Sequence, residues 1–417
     1  MPKNFLSVLA ATIVLLIALP ASAADSYKVL LDYGGANGIG ASNLVYEGGV
    51  LYGTAFLRLG GGIFYELQSG ADGTWTQTVL YEFPVGSAVP GPVISECNGS
   101  FYGTTGPDGY DYGEVIQLTP GSNGSWTSQV IYRFKTQQEG DEPFGRLMCD
   151  PAGNIYGTTR SGGVNGSGTV FELTPASNGE WTAKTLHSFP SNVKDGREPV
   201  AGLIMDSSGN VYGTTELGGF YSNSNCTVNG CGTVFELKPK TGGGWTETVL
   251  QSFDFKYGAA PYADLTFGTD GNLYGTTRGG GDFGNGIVFQ LIPGESGRWS
   301  EKLLHSFKPN GRDGVLPTSG VTFDGDGNLY GTTSNGGAYG YGSTCGGRGC
   351  GTVFKLAPGA DDLWTEQILH SFNGTDGAWP EFSDLVIDNS GDLFGTTTLG
   401  GHCGNGQGCG VSFEVLP

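Results

Sequence analysis

Charged side chains are scarce in this chain: Asp, Glu, Lys and Arg make up 14% of 417 residues, about half the usual share. Long solvated helices need Lys, Glu, Ala and Leu in quantity, so the composition points to an all-β chain rich in tight turns. Positive charge is the scarcer sign, with 20 basic residues against 40 acidic ones and a net charge of −20. Such a surface repels phosphate backbones and anionic lipid heads, and nucleic acid is not an expected partner. Long apolar runs are confined to the N-terminus, where Lys3 precedes an apolar stretch from Phe5 to Leu19 and then Ala21-Ser22-Ala23. That pattern suits signal peptidase and is short for a membrane span. Residues 1–23 are therefore expected to be a signal peptide removed before Ala24. Residues 24–417 are expected to form one exported domain, extracellular or periplasmic, without membrane insertion and monomeric. No lipid, sorting or anchoring signal is read after the strand-like segment that ends at Pro417.

Glycine, by contrast, fills 77 positions and proline 20. That level raises disorder, but apolar residues at 37% recurring with a fixed period can supply a core. The period is carried by seven copies of one string: Tyr52-Gly53-Thr54, Tyr102-Gly103-Thr104, Tyr156-Gly157-Thr158, Tyr212-Gly213-Thr214, Tyr274-Gly275-Thr276, Tyr330-Gly331-Thr332 and Phe394-Gly395-Thr396. Intervals of 50 to 64 residues on β-branched and aromatic positions indicate a propeller or a solenoid. Within 200–253 the unit reads as four strands: Gly202-Leu203-Ile204-Met205, Val211-Tyr212-Gly213-Thr214-Thr215, Gly232-Thr233-Val234-Phe235-Glu236-Leu237 and the run from Trp245 to Phe253. Asp206 to Asn210 forms the first turn. Four antiparallel strands make one propeller blade. The last unit stops at Leu416 without a fourth strand, while Tyr27 to Tyr33 matches the fourth-strand pattern seen at Val79 to Phe83. The two ends are thus complementary, and a ring of seven four-stranded antiparallel blades, closed by the N-terminal strand, is expected in preference to an open solenoid.

The strings Asp…Gly-Asn-Leu-Tyr-Gly-Thr-Thr, Gly-Thr-Val-Phe-Glu-Leu and Trp-Thr…Leu-His-Ser-Phe resemble the Gloeobacter/Verrucomicrobia-type tandem repeat, the GloVer or choice-of-anchor repeat, across essentially all of 27–417. The resemblance implies an exported bacterial repeat protein of unassigned activity; this chain differs from anchored members in showing no anchor.

Repetition also filters the candidate residues, since a side chain present at one place in several blades is normally packing. His187, His305 and His370 share a strand position filled elsewhere by Tyr81, Tyr132, Gln251 and Leu31, and read as structural. Trp75, Trp126, Trp181, Trp245, Trp299 and Trp364 each open a fourth strand and are expected to pack between blades. No nucleophile elbow, His-Glu-x-x-His or phosphate-cradling loop is present, so no catalytic residue is assigned. Asp324-Gly325-Asp326-Gly327-Asn328 begins like a calcium loop but ends too soon, and reads as a tight turn. No cofactor and no metal is expected. Carboxylate pairs for glycoside hydrolysis stay open, because their separations are not visible in sequence.

Cysteine is more telling. Cys226 and Cys231, Cys345 and Cys350, and Cys403 and Cys409 each stand just before a third strand, in the three blades with the longest preceding loops. Local disulfides pinning those loops are expected in an oxidising compartment, with zinc held by the last two pairs as the alternative. Cys97 and Cys149 end neighbouring first strands and are a further candidate bridge.

The chain connectivity puts the first-to-second and third-to-fourth turns on one face and the longer second-to-third and fourth-to-first loops on the other, where function is expected. Candidate binding residues are Tyr110, Tyr112, Asp282 and His402 in such loops, Arg160, Glu216 and Arg278 directly after a Thr-Thr pair, and Trp379 between a fourth and a first strand. The expected function is non-enzymatic binding of a carbohydrate or an extracellular protein. A polysaccharide-cleaving hydrolase or lyase and a purely structural envelope protein are the alternatives.

Overall fold

The computed structural model describes residues 26–34, 39–41, 43–57, 61–85, 94–106, 112–191, 194–220, 226, 229–339, 344–360, 363–402 and 409–417. The expected signal peptide, Tyr110 and Cys403 lie outside them. Seven antiparallel sheets follow one another as blades spanning 45–83, 94–133, 148–188, 204–252, 266–306, 322–371 and 386–415. The seventh is completed by Tyr27–Asp32, which pairs with Val411–Val415 from Tyr27↔Val415 to Asp32↔Val411. This closes the ring as the complementary ends require. Tyr33, just beyond that strand, is fully buried, and its hydroxyl meets those of Tyr65 in the first blade and Ser412 in the seventh.

Each blade turns the repeated strings into packing. In Tyr-Gly-Thr-Thr the glycine lies beneath an aromatic ring of the third strand. A Cβ on Gly213 would stand 2.7 Å from the Phe235 ring and 2.8 Å from Leu203, closer than real contacts allow, so only glycine lets ring and backbone meet. The first Thr ties its blade to the next: Thr158 donates to the Ala201 carbonyl at 2.9 Å, Thr276 to that of Ser319 at 2.8 Å and Thr332 to that of Pro380 at 3.2 Å. The second Thr bonds across its own sheet, as in the buried Thr215–Thr233 pair at 2.8 Å. The tryptophans do pack between blades. Trp181 meets Tyr102, Trp299 meets Tyr212, Trp364 meets Tyr274, and Trp75 meets Phe394 across the closure.

A second device recurs where each of five blades enters its first strand. Glu142, Glu198, Ala260, Leu316 and Trp379 all have φ between 53° and 58° and all precede proline. Each donates its amide to a carbonyl of the preceding blade, such as Ala260 N to Cys231 O, and a residue after the second strand of its own blade can donate back, as Arg278 N does to Ala260 O. Trp379, which in sequence stands apart from the repeat, therefore occupies a repeated backbone position.

Disulfides join Cys97 to Cys149, Cys226 to Cys231 and Cys345 to Cys350. The first links the inner strands of the second and third blades, and the other two pin the long loops. Cys409 is likewise disulfide-bonded, while Cys403, its expected partner, is outside the described residues. The thiols of Cys345 and Cys350 are thus taken up by their own bridge, which removes the zinc alternative that used them.

Candidate functional site at the channel mouth

The segments leading into the first strands converge on the ring axis. A narrow channel there is lined by Asn43, Phe144, Arg146, Tyr262, Asp264, Thr318, Phe382 and Asp384, together with small neighbours from the same segments. The residue just before the buried Leu or Val of each first strand decides its chemistry. It is Asn43 in the first blade, Arg146 in the third, Gly202 in the fourth, Asp264 in the fifth, Gly320 in the sixth and Asp384 in the seventh. One cation and two carboxylates thus face each other across the axis. Asp264 accepts a hydrogen bond from Gly202 N at 2.5 Å, and Asp384 accepts one from Gly320 N at 2.6 Å. Glycine is required at 202, since a Cβ would stand 2.8 Å from both Asp264 Oδ2 and Arg146 Cβ.

Confinement and mutual repulsion set the acidity of this pair. Burial, and then the Asp384 charge, push the Asp264 carboxyl up to about 7 against the opposing pull of Arg146 and the Gly202 amide. Burial likewise raises Asp384, again opposed by Arg146 and a backbone amide. The enclosed space is about 30 Å³, enough for one or two waters and too small for a sugar ring.

Above this constriction the polar side chains of the loops form a connected rim. Arg160 Nη2 lies 3.3 Å from Glu198 Oε2 and 3.8 Å from Glu216 Oε2. Glu216 faces the Tyr262 hydroxyl, and burial followed by that carboxylate pushes the phenol up to about 12. The Arg278 guanidinium sits 5.6 Å over the Tyr262 ring, a cation–π contact. Glu381, raised by burial, feels the positive charge of Arg278. The Phe382 ring lies 5.9 Å from both Tyr262 and Phe144. Farther out, the second-to-third loops end in exposed apolar tips at Val164, Phe220, Phe283 and Tyr339.

Of the residues singled out in sequence, Arg160, Glu216 and Arg278 share this rim. Tyr110 lies outside the described residues, and the remaining four are placed elsewhere. Trp379 is half-buried against the core between the sixth and seventh blades, its indole nitrogen buried without a hydrogen-bond partner. Tyr112 packs on the core of the second and third blades. Asp282 is exposed, its amide donating to Ser306 Oγ at 2.9 Å. His402 pairs with Asp32 of the closing strand, Nδ1 to Oδ2 at 3.0 Å. Arg146, Asp264, Asp384 and Tyr262 were not among those residues, although comparing the six first-strand entries named above exposes the first three as the charged exceptions.

A family model for the Gloeobacter/Verrucomicrobia repeat matches the sequence in three overlapping stretches, 40–228, 93–345 and 222–416. The chain belongs to that repeat family. Compared with curated proteins, the sequence matches none. Among solved structures, a luciferin-regenerating enzyme aligns at 14% identity and TM-score 0.46, covering 79% of this chain and 91% of its own. A putative oxidoreductase (glucose dehydrogenase) from Thermus thermophilus aligns at 14% identity and TM-score 0.42, covering 94% and 99%. A puromycin-hydrolyzing peptidase of Mycobacterium tuberculosis aligns at 12% identity and TM-score 0.49, covering 89% of this chain and 52% of its own.

Proposed function

We propose that this propeller is an exported, non-enzymatic binding protein that holds carbohydrate on the channel mouth. The observation that carries the reading is the Tyr262 platform. A ring with Arg278 over one face and Phe382 beside it offers apolar surface for the C–H side of a sugar. Around it, Arg160, Glu198, Glu216 and Glu381 supply the planar donors and acceptors that hydroxyl groups use. The exposed aromatic tips Phe220, Phe283 and Tyr339 extend the same kind of surface outward. Disulfides favour an oxidising compartment, which supports export, and among the described residues no helix is long and apolar enough to cross a membrane.

The second reading, cleavage of a polysaccharide, is favoured by the Asp264–Asp384 pair, whose raised pKa values are of the kind acid–base chemistry uses. Against it stand the small enclosed space and the backbone amides that already occupy one oxygen of each carboxylate. A panel of polysaccharides scored for both retention and released ends separates the two. Retention without product is the expected result, and product formation that disappears in Asp264→Asn would replace the binding reading by the hydrolytic one.

A further inference from the structure

Between the fifth and sixth blades three side chains from separate segments converge: His305 near the end of Trp299–Ser306, Asp313 in the loop after that strand, and Glu366 in Trp364–Ser371. His305 Nε2 lies 3.4 Å from Asp313 Oδ2 and 3.4 Å from Glu366 Oε1. These separations are long for hydrogen bonds to a ring nitrogen. His305 Nε2, Glu366 Oε1 and Asp313 Oδ1 are all buried without a hydrogen-bond partner. Two of the three separations match those between ligands of one metal ion, and all three ligand atoms fall within 4.8 Å of one another. With bonds of about 2.0–2.1 Å, adjacent ligand atoms around a tetrahedral ion stand about 3.3–3.4 Å apart.

We infer that His305, Asp313 and Glu366 bind one divalent transition metal of the zinc class, with solvent completing the shell. One imidazole and two carboxylates suit zinc, and manganese less well. Calcium prefers six to eight oxygens and is not matched by this set. The ligands are held in place from outside the shell. Asp313 Oδ2 accepts from Lys308 N at 2.8 Å, Asp313 N donates to Asn310 Oδ1 at 2.9 Å, and the His305 ring packs edge-on to Phe307 at 4.8 Å. Asp313 is only 5% exposed, while the side chains of His305 and Glu366 keep 18% and 16% of their surface.

The repeat supplies its own control. His187, Asp195 and Glu247 occupy the equivalent positions between the third and fourth blades, and His187 Nε2 lies 3.5 Å from Asp195 Oδ2. Yet the His305 set is the single group among the described residues whose ligand atoms all fall within 4.8 Å of one another. Residue types alone therefore do not make the site; the relative placement of the two blades does.

The test titrates zinc chloride into the full exported chain after dialysis against chelator, following heat by calorimetry and bound metal by elemental analysis. One zinc per chain is expected, with at least 30-fold weaker binding in Glu366→Gln and in His305→Asn, and unchanged binding in His187→Asn. Cobalt in place of zinc should give the visible absorption of a four-coordinate site. Absence of saturable zinc binding overturns the proposal. So does binding that survives both Glu366→Gln and His305→Asn, each verified as folded by circular dichroism.

Discussion

The two faces of the ring are built from the same seven repeats, but they differ in how strictly they repeat. On the face of the short turns, Asp150, Asp206 and Asp324 each accept the amides two and four residues on, and bond the Asn side chain and the hydroxyl of the following Tyr. Asp270 makes the nearest variant of this net. Burial works to raise Asp206 and Asp324, but these hydrogen bonds outweigh it and hold both carboxyls below their ordinary range. On the opposite face, the equivalent entries to the axis carry Asn43, Arg146, Gly202, Asp264, Gly320 and Asp384. The same backbone therefore serves two ends. Where the third to sixth blades make the same turn the residues agree, and where the side chains meet at one axis they are free to differ.

The comparison breaks most severely if the ring itself opens. Removing residues 24–33 deletes the closing strand and buried Tyr33, and leaves the edge of Val411–Val415 unpaired. The expected outcome is aggregation, read by size-exclusion chromatography and light scattering; a truncated chain as soluble and heat-resistant as the intact one would refute closure as a stabilising element.

Next in size is the axial set. Arg146→Met leaves Asp264 and Asp384 confined without their counter-charge, a change that costs about 3–5 kcal/mol when a buried charge loses its partner. A fall in melting temperature of about 5 °C or more at pH 8, shrinking below pH 7 as Asp264 takes up its proton, would identify the triad as electrostatically coupled. A pH-independent loss would point to packing alone.

A smaller effect lies between the fourth and fifth blades, where Gln251 Nε2 donates to Glu301 Oε2. Burial, and then the Asp254 charge, push Glu301 up to about 8, against the Gln251 hydrogen bond. A carboxyl raised on folding keeps its proton while the unfolded chain releases it, so its contribution is full at low pH and declines as pH rises toward 8. Glu301→Gln removes that decline. The variant and the parent should melt together near pH 5 and differ by about 2–4 °C at pH 8, with the variant the more stable.

Much of this architecture is legible in the sequence because strings repeated seven times fix blade number, strand content and the complementary ends. Three cysteine pairs could be read as bridges in the same way, since each stands at one place in the unit or in neighbouring units. The channel mouth is harder to read. Arg146, Asp264 and Asp384 are far apart along the chain, and only the closed ring brings them to one axis. Trp379 illustrates the opposite difficulty. One extra residue between Pro380 and Asp384, relative to Pro261 and Asp264, hides its equivalence to Ala260, so a side chain packed at a blade boundary looks like an isolated loop aromatic. His305 shows a third: its strand position carries Leu31, Tyr81, Tyr132 or Gln251 in other blades, and only the placement of the next blade brings Glu366 within reach.

The most direct test of the account compares the two faces in one assay. A polysaccharide retained by the intact protein is titrated against the double variant Arg160→Ala/Arg278→Ala at the channel mouth and against Asp326→Ala in an exposed turn of the opposite face. The account predicts at least a tenfold loss of affinity in the first, with its melting temperature nearly unchanged, and none in the second. Equal affinity in all three proteins, or an equal loss in both variants, would contradict it.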